Sequence, residues 1–156
     1  MIAVIQRISA GHVTVDGRIV AECKNEHGLL VLLGVADGDT EEDARLLASK
    51  ITKLRIFSDE NDKMNLSVVD VGGSVMVVSN FTLLASYRKG NRPDYLKSAH
   101  PDEAKRLYEY FTELVSKEVP DTSHGVFGAH MMVSITNDGP VTIPMDSAVL
   151  KQPKNV

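Results

Sequence analysis

Residues 28–54 read GLLVLLGVADGDTEEDARLLASKITKL, and a change of period inside them decides the fold class. Gly28 to Val35 is almost continuously apolar, the pattern of a strand covered on both faces. From Thr40 the period lengthens. Thr40-Glu41-Glu42-Asp43 has the form of a capping box, with the Thr40 hydroxyl available to an otherwise unpaired amide. Ala44, Leu47, Ala48, Ile51 and Leu54 then recur at spacings of three and four, the apolar stripe of a helix laid on a core.

What flanks this strand and helix settles the architecture. Upstream, Ile2 to Val15 is rich in β-branched residues, with Val13 and Val15 alternating with His12, Thr14 and Asp16. Asp16-Gly17 is a hairpin signal leading into a second run, Arg18 to Cys23. Downstream, Gly72-Gly73 marks a turn before a strand from Ser74 to Ser79. A second helix is predicted from Pro101 to Val119. Pro101 suits its first turn, Asp102 and Glu103 suit the positive end of the dipole, and Pro120 stops it. Its buried face is predicted as Ala104, Leu107, Tyr108, Phe111, Leu114 and Val115. Ala129 to Thr136 reads as a strand, Asn137-Asp138-Gly139-Pro140 as a turn and Val141 to Met145 as a returning strand. Strands, helix, strand, helix, strands is not a regular βαβ alternation. It predicts an α+β fold, a mostly antiparallel or mixed sheet or partly closed barrel with two main helices packed on it. No repeat, low-complexity tract or linker divides the chain, so residues 1–150 read as one domain and 151–156 as a tail.

Composition narrows the function classes. The 156 residues are 43% apolar and 24% charged, values of a globular rather than a disordered chain. The single cysteine, Cys23, excludes an internal disulfide framework and favours a reducing compartment. No apolar stretch approaches the roughly 20 residues that span a bilayer, and MIAVIQR lacks a signal-peptide pattern, so a cytoplasmic, non-membrane protein is expected. With a net charge of −4, any contact to nucleic acid must be a local patch. No phosphate-cradling glycine motif occurs, and His12, His27, His100, His124 and His130 have no metal-ligand spacing, so no cofactor or metal is expected. The run Asp37, Asp39, Glu41, Glu42, Asp43 reads as a solvated helix N-terminus.

Two segments look unlike scaffold. Ser79-Asn80-Phe81-Thr82-Leu83 places polar residues where an apolar strand leaves the core. Such residues either line a site or bond their own backbone. Asn137-Asp138-Gly139-Pro140-Val141-Thr142 puts proline directly after glycine. An X-Pro bond is the only common route to a cis peptide, and an ordinary trans turn is the alternative.

Together these segments resemble the D-aminoacyl-tRNA deacylase family, of the D-Tyr-tRNA deacylase type, with its Ser-Gln-x-Thr-Leu and Asn-x-Gly-Pro-Val-Thr motifs. The resemblance runs through MIAVIQRISAGHVTVDG at the start, Lys89-Gly90-Asn91-Arg92-Pro93, and Gly125-Val126-Phe127-Gly128-Ala129. One position departs: Asn80 stands where the family has glutamine, which puts a side-chain role there in question.

The resemblance implies hydrolysis of the ester joining a D-amino acid, or glycine, to the terminal adenosine of tRNA, with L-aminoacyl-tRNA rejected. It implies that Gly139 and Pro140 form the chirality filter, held cis and flanked by Asn137, Val141 and Thr142. That filter would enter the site of a second subunit, hence a homodimer with the site at its interface. It implies a catalytic group of Ser79, Asn80, Phe81 and Thr82. Thr82 is there either a nucleophile or a positioning group, with the adenosine 2′-hydroxyl assisting and amides near Phe81 and Thr82 stabilising the oxyanion. Arg88, Lys89 and Arg92, with Lys97 beside them, are the expected tRNA contact, or else a solvated basic loop. Two other functions fit the same residues: a small-ester or amide hydrolase using Thr82 as nucleophile, and an inactive dimer that binds RNA ends.

Overall fold

A computed structural model describes residues 1–154 of the chain. In chain order the elements are β1 (Ile2–Val15), β2 (Arg18–Cys23), β3 (Gly28–Gly34), α1 (Glu41–Thr52), β4 (Phe57–Ser58), β5 (Met64–Leu66) and β6 (Ser74–Ser79). There follow α2 (Pro101–Glu118), β7 (Thr122–His124), β8 (Met132–Asp146) and a short α3 (Ser147–Leu150) that the sequence pattern did not predict.

β1 and β2 form the expected hairpin, and both its turn residues take positive φ, 50° at Asp16 and 76° at Gly17. That geometry matches the twist of the flanking strands. The main sheet runs β2-β1-β3-β6-β7, with β8 also paired to β1. β1 is antiparallel to β2, β3 and β8, whereas β3–β6 and β6–β7 are parallel. The far ends of the sheet meet, because Ser123 Oγ on β7 donates to the Glu22 carbonyl on β2 at 3.2 Å. The result is a nearly closed, mixed barrel with two long helices on it, as the element order predicts.

The unbroken apolar run of β3 now has its reason. Leu29, Val31 and Leu33 join the core shared with the helices, while Leu30 joins a second cluster with Ile8, Val13, Ala21, Met76 and Val78. Alternate residues of one strand thus fill two cores, so neither face is polar. On α2, Leu107, Tyr108, Phe111 and Val115 are buried, with Ala104 and Leu114 partly so. Thr112 joins them despite its hydroxyl, which donates to the Tyr108 carbonyl at 2.9 Å and so needs no other partner.

One expectation needs revision. The segment read as strand, turn and returning strand is one strand, β8, lying antiparallel along β1 from Ile2↔Asp146 to Thr14↔Met132. Its two arms bond β1 and do not form a hairpin with each other. Between the pairs Gln6↔Thr142 and Ile8↔Asn137, Arg7 alone stands opposite residues 138–141, so the supposed turn is a large bulge. The capping box forms as expected: the Thr40 side chain accepts from the Asp43 amide, and the Asp43 carboxylate accepts from the Thr40 amide at 2.9 Å and from the Thr40 hydroxyl at 3.1 Å. The tail read over 151–156 lies partly outside the described residues, and its first residue is anchored, with Lys151 Nζ 2.8 Å from Asp43 Oδ1.

Asp43 is buried, which alone would raise its pKa. Lys151, the Ser147 hydroxyl and the Thr40 amide and hydroxyl outweigh burial and hold the carboxyl well below the usual carboxylate range. A depressed native pKa contributes stability that is present above the unfolded value, near pH 4, and is lost as pH falls toward the native one. Asp43→Asn should therefore cost about 1.5–3 kcal/mol at pH 7. The gap to wild type should narrow below about pH 4 in urea titrations, since the wild-type carboxylate then begins to take up its proton.

Candidate active site

The parallel pair β3–β6 ends at Leu33↔Ser79, and the chain leaves the sheet there. The Asn80 amide still donates to the Leu33 carbonyl at 2.8 Å, after which Phe81–Leu84 make a single 3-10 turn. Gly34 lets that turn pack against the sheet, since a Cβ there would lie 3.1 Å from the Asn80 carbonyl oxygen and 3.3 Å from Leu83 Cβ. At the start of the turn, neither the Phe81 nor the Thr82 amide finds an acceptor among the described residues. These are the orphan donors of a helix N-terminus.

The turn forms one wall of a cleft of about 930 Å³. The rest of the lining includes Tyr95, Leu96 and Ser98 to His100, the start of α2 with Ala104 and Tyr108, and Phe127 to Met131. The cleft is mainly apolar. Phe81 packs edge-on against Tyr95 with ring centroids 4.9 Å apart, yet remains 58% exposed. Tyr108 donates to the Val77 carbonyl at 2.9 Å, and burial pushes its phenol up, so it is a neutral strut. Ser98 Oγ is buried in this wall with no partner among the described residues.

Ser79, Asn80, Phe81 and Thr82, grouped from the sequence, all line this cleft. The Thr82 hydroxyl donates to the Asn80 side-chain carbonyl. An amide oxygen is not a base, so this contact orients the hydroxyl without activating it. His100 and His130, scattered in sequence, line the same cleft. His100 Nδ1 is committed to capping α2, accepting from the Asp102 amide at 3.4 Å. Among the described residues no cluster of three His, Cys, Asp or Glu side chains is arranged to hold a metal ion.

The second motif does not reach this cleft. Gly139 and Pro140 sit on the β8 bulge, are exposed and do not line the cleft of their own chain. The Gly139–Pro140 peptide bond is cis, and Gly139 has φ +136°. Asn137 and Thr142 close the neck of the bulge. Asn137 Nδ2 donates to Thr142 Oγ1 at 3.0 Å, and Asn137 Oδ1 accepts from the Val141 amide at 3.0 Å. Val141 packs on the main core. Arg7 pins the tip: its Nε donates to the Asp138 carbonyl at 3.1 Å and lies 3.3 Å from Asp138 Oδ2, while Nη1 donates to the Ile56 carbonyl at 2.7 Å. Nothing in the sequence around Arg7 pointed to this, because its partners lie 49 and 131 residues away. Arg88, Lys89 and Arg92 lie on an exposed loop whose base is the Ser86↔Asp94 bridge.

Residues 4–146 match the family model described as D-Tyr-tRNA(Tyr) deacylase. The chain is similar to the D-aminoacyl-tRNA deacylase of Alkaliphilus metalliredigens, 54% identical over 147 residues, 94% of this chain and 97% of that one. It is also similar to that of Persephonella marina, 53% identical over 150 residues, 96% of this chain and all of the other. Among solved structures, the c-Myc DNA unwinding element binding protein superposes with TM-score 0.87 at 38% identity, covering 94% of this chain and 98% of that chain. A probable eukaryotic D-amino acid tRNA deacylase, at TM-score 0.81 and 16% identity over 93% of this chain and 98% of that chain, shares the fold.

Proposed function

We propose a mechanism for a chain that belongs to the D-Tyr-tRNA(Tyr) deacylase family: it hydrolyses the ester of D-aminoacyl-tRNA, acting on the carbonyl beside the Phe81–Leu84 turn. The observation that carries this reading is the pair of unpaired amides at Phe81 and Thr82 in an apolar cleft. Water attacks the ester carbonyl, and these amides stabilise the oxyanion that develops, each worth roughly 3–4 kcal/mol. The tetrahedral intermediate then collapses, expelling the adenosine oxygen, which leaves free amino acid and tRNA. The adenosine 2′-hydroxyl assists activation of the water, because the Thr82 hydroxyl is bonded to an amide oxygen.

Chirality is decided by exclusion. A ratio of 10⁴ between enantiomers needs about 5.5 kcal/mol, more than an attractive pocket serving many side chains can supply. Gly139 and Pro140 of a partner subunit close the L side of the cleft, and glycine, having no side chain, passes. Three observations support a partner. The bulge does not reach its own cleft, the outer edge of β8 is unpaired among the described residues, and Met132 and Val133 on it are exposed. Open strand edges of this length are otherwise a hazard to a monomer. Arg88, Lys89 and Arg92 bind phosphates of the tRNA. A tRNA substrate places the protein in the cytoplasm, and no described helix is long and apolar enough to cross a membrane.

The test is deacylation of matched D-, L- and glycyl-tRNAs by the purified protein. The D- and glycyl-esters should be cleaved and the L-ester left intact. Tight binding without cleavage of the D-ester would overturn the enzymatic reading.

A further inference from the structure

The loop carrying the three cations also carries an aromatic ring with no packing role. Tyr87 is 81% exposed, although a tyrosine ring is ordinarily half-sheltered by its apolar body. Its position is fixed. Ser86 and Asp94 exchange both backbone hydrogen bonds, at 2.8 and 2.9 Å, so Tyr87 stands one residue beyond a closed ladder. The strand partner leads straight into Tyr95 and Leu96, which line the cleft, and Leu96 at its rim is 88% exposed.

Charge identifies the occupant. From Tyr87 to Pro93 the loop holds Arg88, Lys89 and Arg92 and no acidic residue, in a chain whose net charge is −4. Among the described residues none of the three lies within 4 Å of a carboxylate. Unpaired cations around a bare aromatic face are the combination that holds single-stranded nucleic acid, with phosphates on the cations and a base on the ring.

We propose that Tyr87 is a stacking platform for an unpaired base of the tRNA 3′ end, just before the terminal adenosine, while Arg88, Lys89 and Arg92 take phosphates of that same single strand. This rests on the reading of the cleft as the site of the terminal adenosine: an RNA strand leaving it past Tyr95 and Leu96 meets this loop. The unpaired end is thereby held at two points, and the ester is placed between them.

A binding cycle tests it. Full-length protein is titrated with uncharged tRNA and with the same tRNA trimmed back to its last base pair, for wild type, Tyr87→Ala and Tyr87→Phe. Tyr87→Ala should weaken binding of the intact tRNA roughly five- to 150-fold, the range for losing one base–aromatic stack. Tyr87→Phe should stay within about twofold, because stacking needs the ring face and not the hydroxyl. On trimmed tRNA the alanine penalty should vanish. Equal binding by wild type and Tyr87→Ala overturns the proposal. So does a penalty that persists on the trimmed tRNA, failure of the phenylalanine variant, or no binding of intact tRNA by wild type at low salt. Wild-type hydrolysis of D-aminoacyl-tRNA is measured alongside. Its absence would sink the catalytic reading, while the stacking contact is judged on the binding cycle alone.

Discussion

Replacing Phe81 by proline should lower kcat on D-aminoacyl-tRNA roughly 10²- to 10³-fold, the usual cost of one oxyanion donor. The substitution removes one N–H. Phe81 is the first residue of its turn, where proline is tolerated because no intrahelical bond uses that amide. Asn80 before it is extended, with φ −148° and ψ 88°, outside the helical region that a following proline disfavours. Phe81→Ala is the control, since it keeps the amide and loses the ring that packs on Tyr95. If the amide acts on the transition state, alanine should mainly raise KM, and proline, which loses the ring as well, should add to this the fall in kcat. Thr82→Ala supplies the contrast. Its hydroxyl donates to Asn80, so the loss should stay below about tenfold, far short of a missing nucleophile. A Thr82→Ala enzyme reduced as completely as a nucleophile knockout, with binding and folding intact, would instead establish covalent catalysis.

How much of this was legible in the chain depends on distance. The β1–β2 hairpin, α1, β6 and α2 could be read because period, caps and turn residues are local, and each lies within a few residues of its expected bounds. The Ser79–Thr82 group was legible for the same reason: four neighbours at one strand end reach one cleft together. The β8 bulge was not. Asn137-Asp138-Gly139-Pro140 carries every local turn signal, but the 14 residues of β1 offer a whole edge to both arms, and pairing with β1 wins over a hairpin. Arg7 was invisible because its partners, Asp138 on the β8 bulge and Ile56, lie 131 and 49 residues away, beyond any local pattern. Tyr87 carries no local signal between Ser86 and Arg88, since its meaning lies in its exposure, which no periodicity encodes.

Gly139→Ala should reduce the preference for D- over L-aminoacyl-tRNA by a hundredfold or more, a loss of at least about 2.7 kcal/mol in discrimination. Gly139 has φ +136°, a conformation that side-chain-bearing L-residues rarely adopt. An added Cβ would lie 2.9 Å from both Val141 Cγ2 and the Val141 amide nitrogen, and 3.4 Å from Arg7 Nη2. Those neighbours are poorly free to yield. Val141 packs against the core and its amide is held by Asn137, while Arg7 is bonded to Asp138 and Ile56. The backbone of the bulge must therefore shift, and exclusion built from backbone atoms fails with small displacements. Mixing variants shows whether the bulge acts on its own cleft or on a partner's. Gly139→Ala keeps an intact Phe81 amide, and Phe81→Pro keeps an intact bulge. If the chain forms the dimer proposed above, unfolding and refolding the two together pairs one of each in half of the dimers. If the bulge acts across the interface, one site in each mixed dimer joins a normal cleft to a normal bulge. Selective D-deacylation should then return to about a quarter of the wild-type rate. Were the bulge to serve its own chain, every site would keep one defect, and refolding the two together would restore nothing.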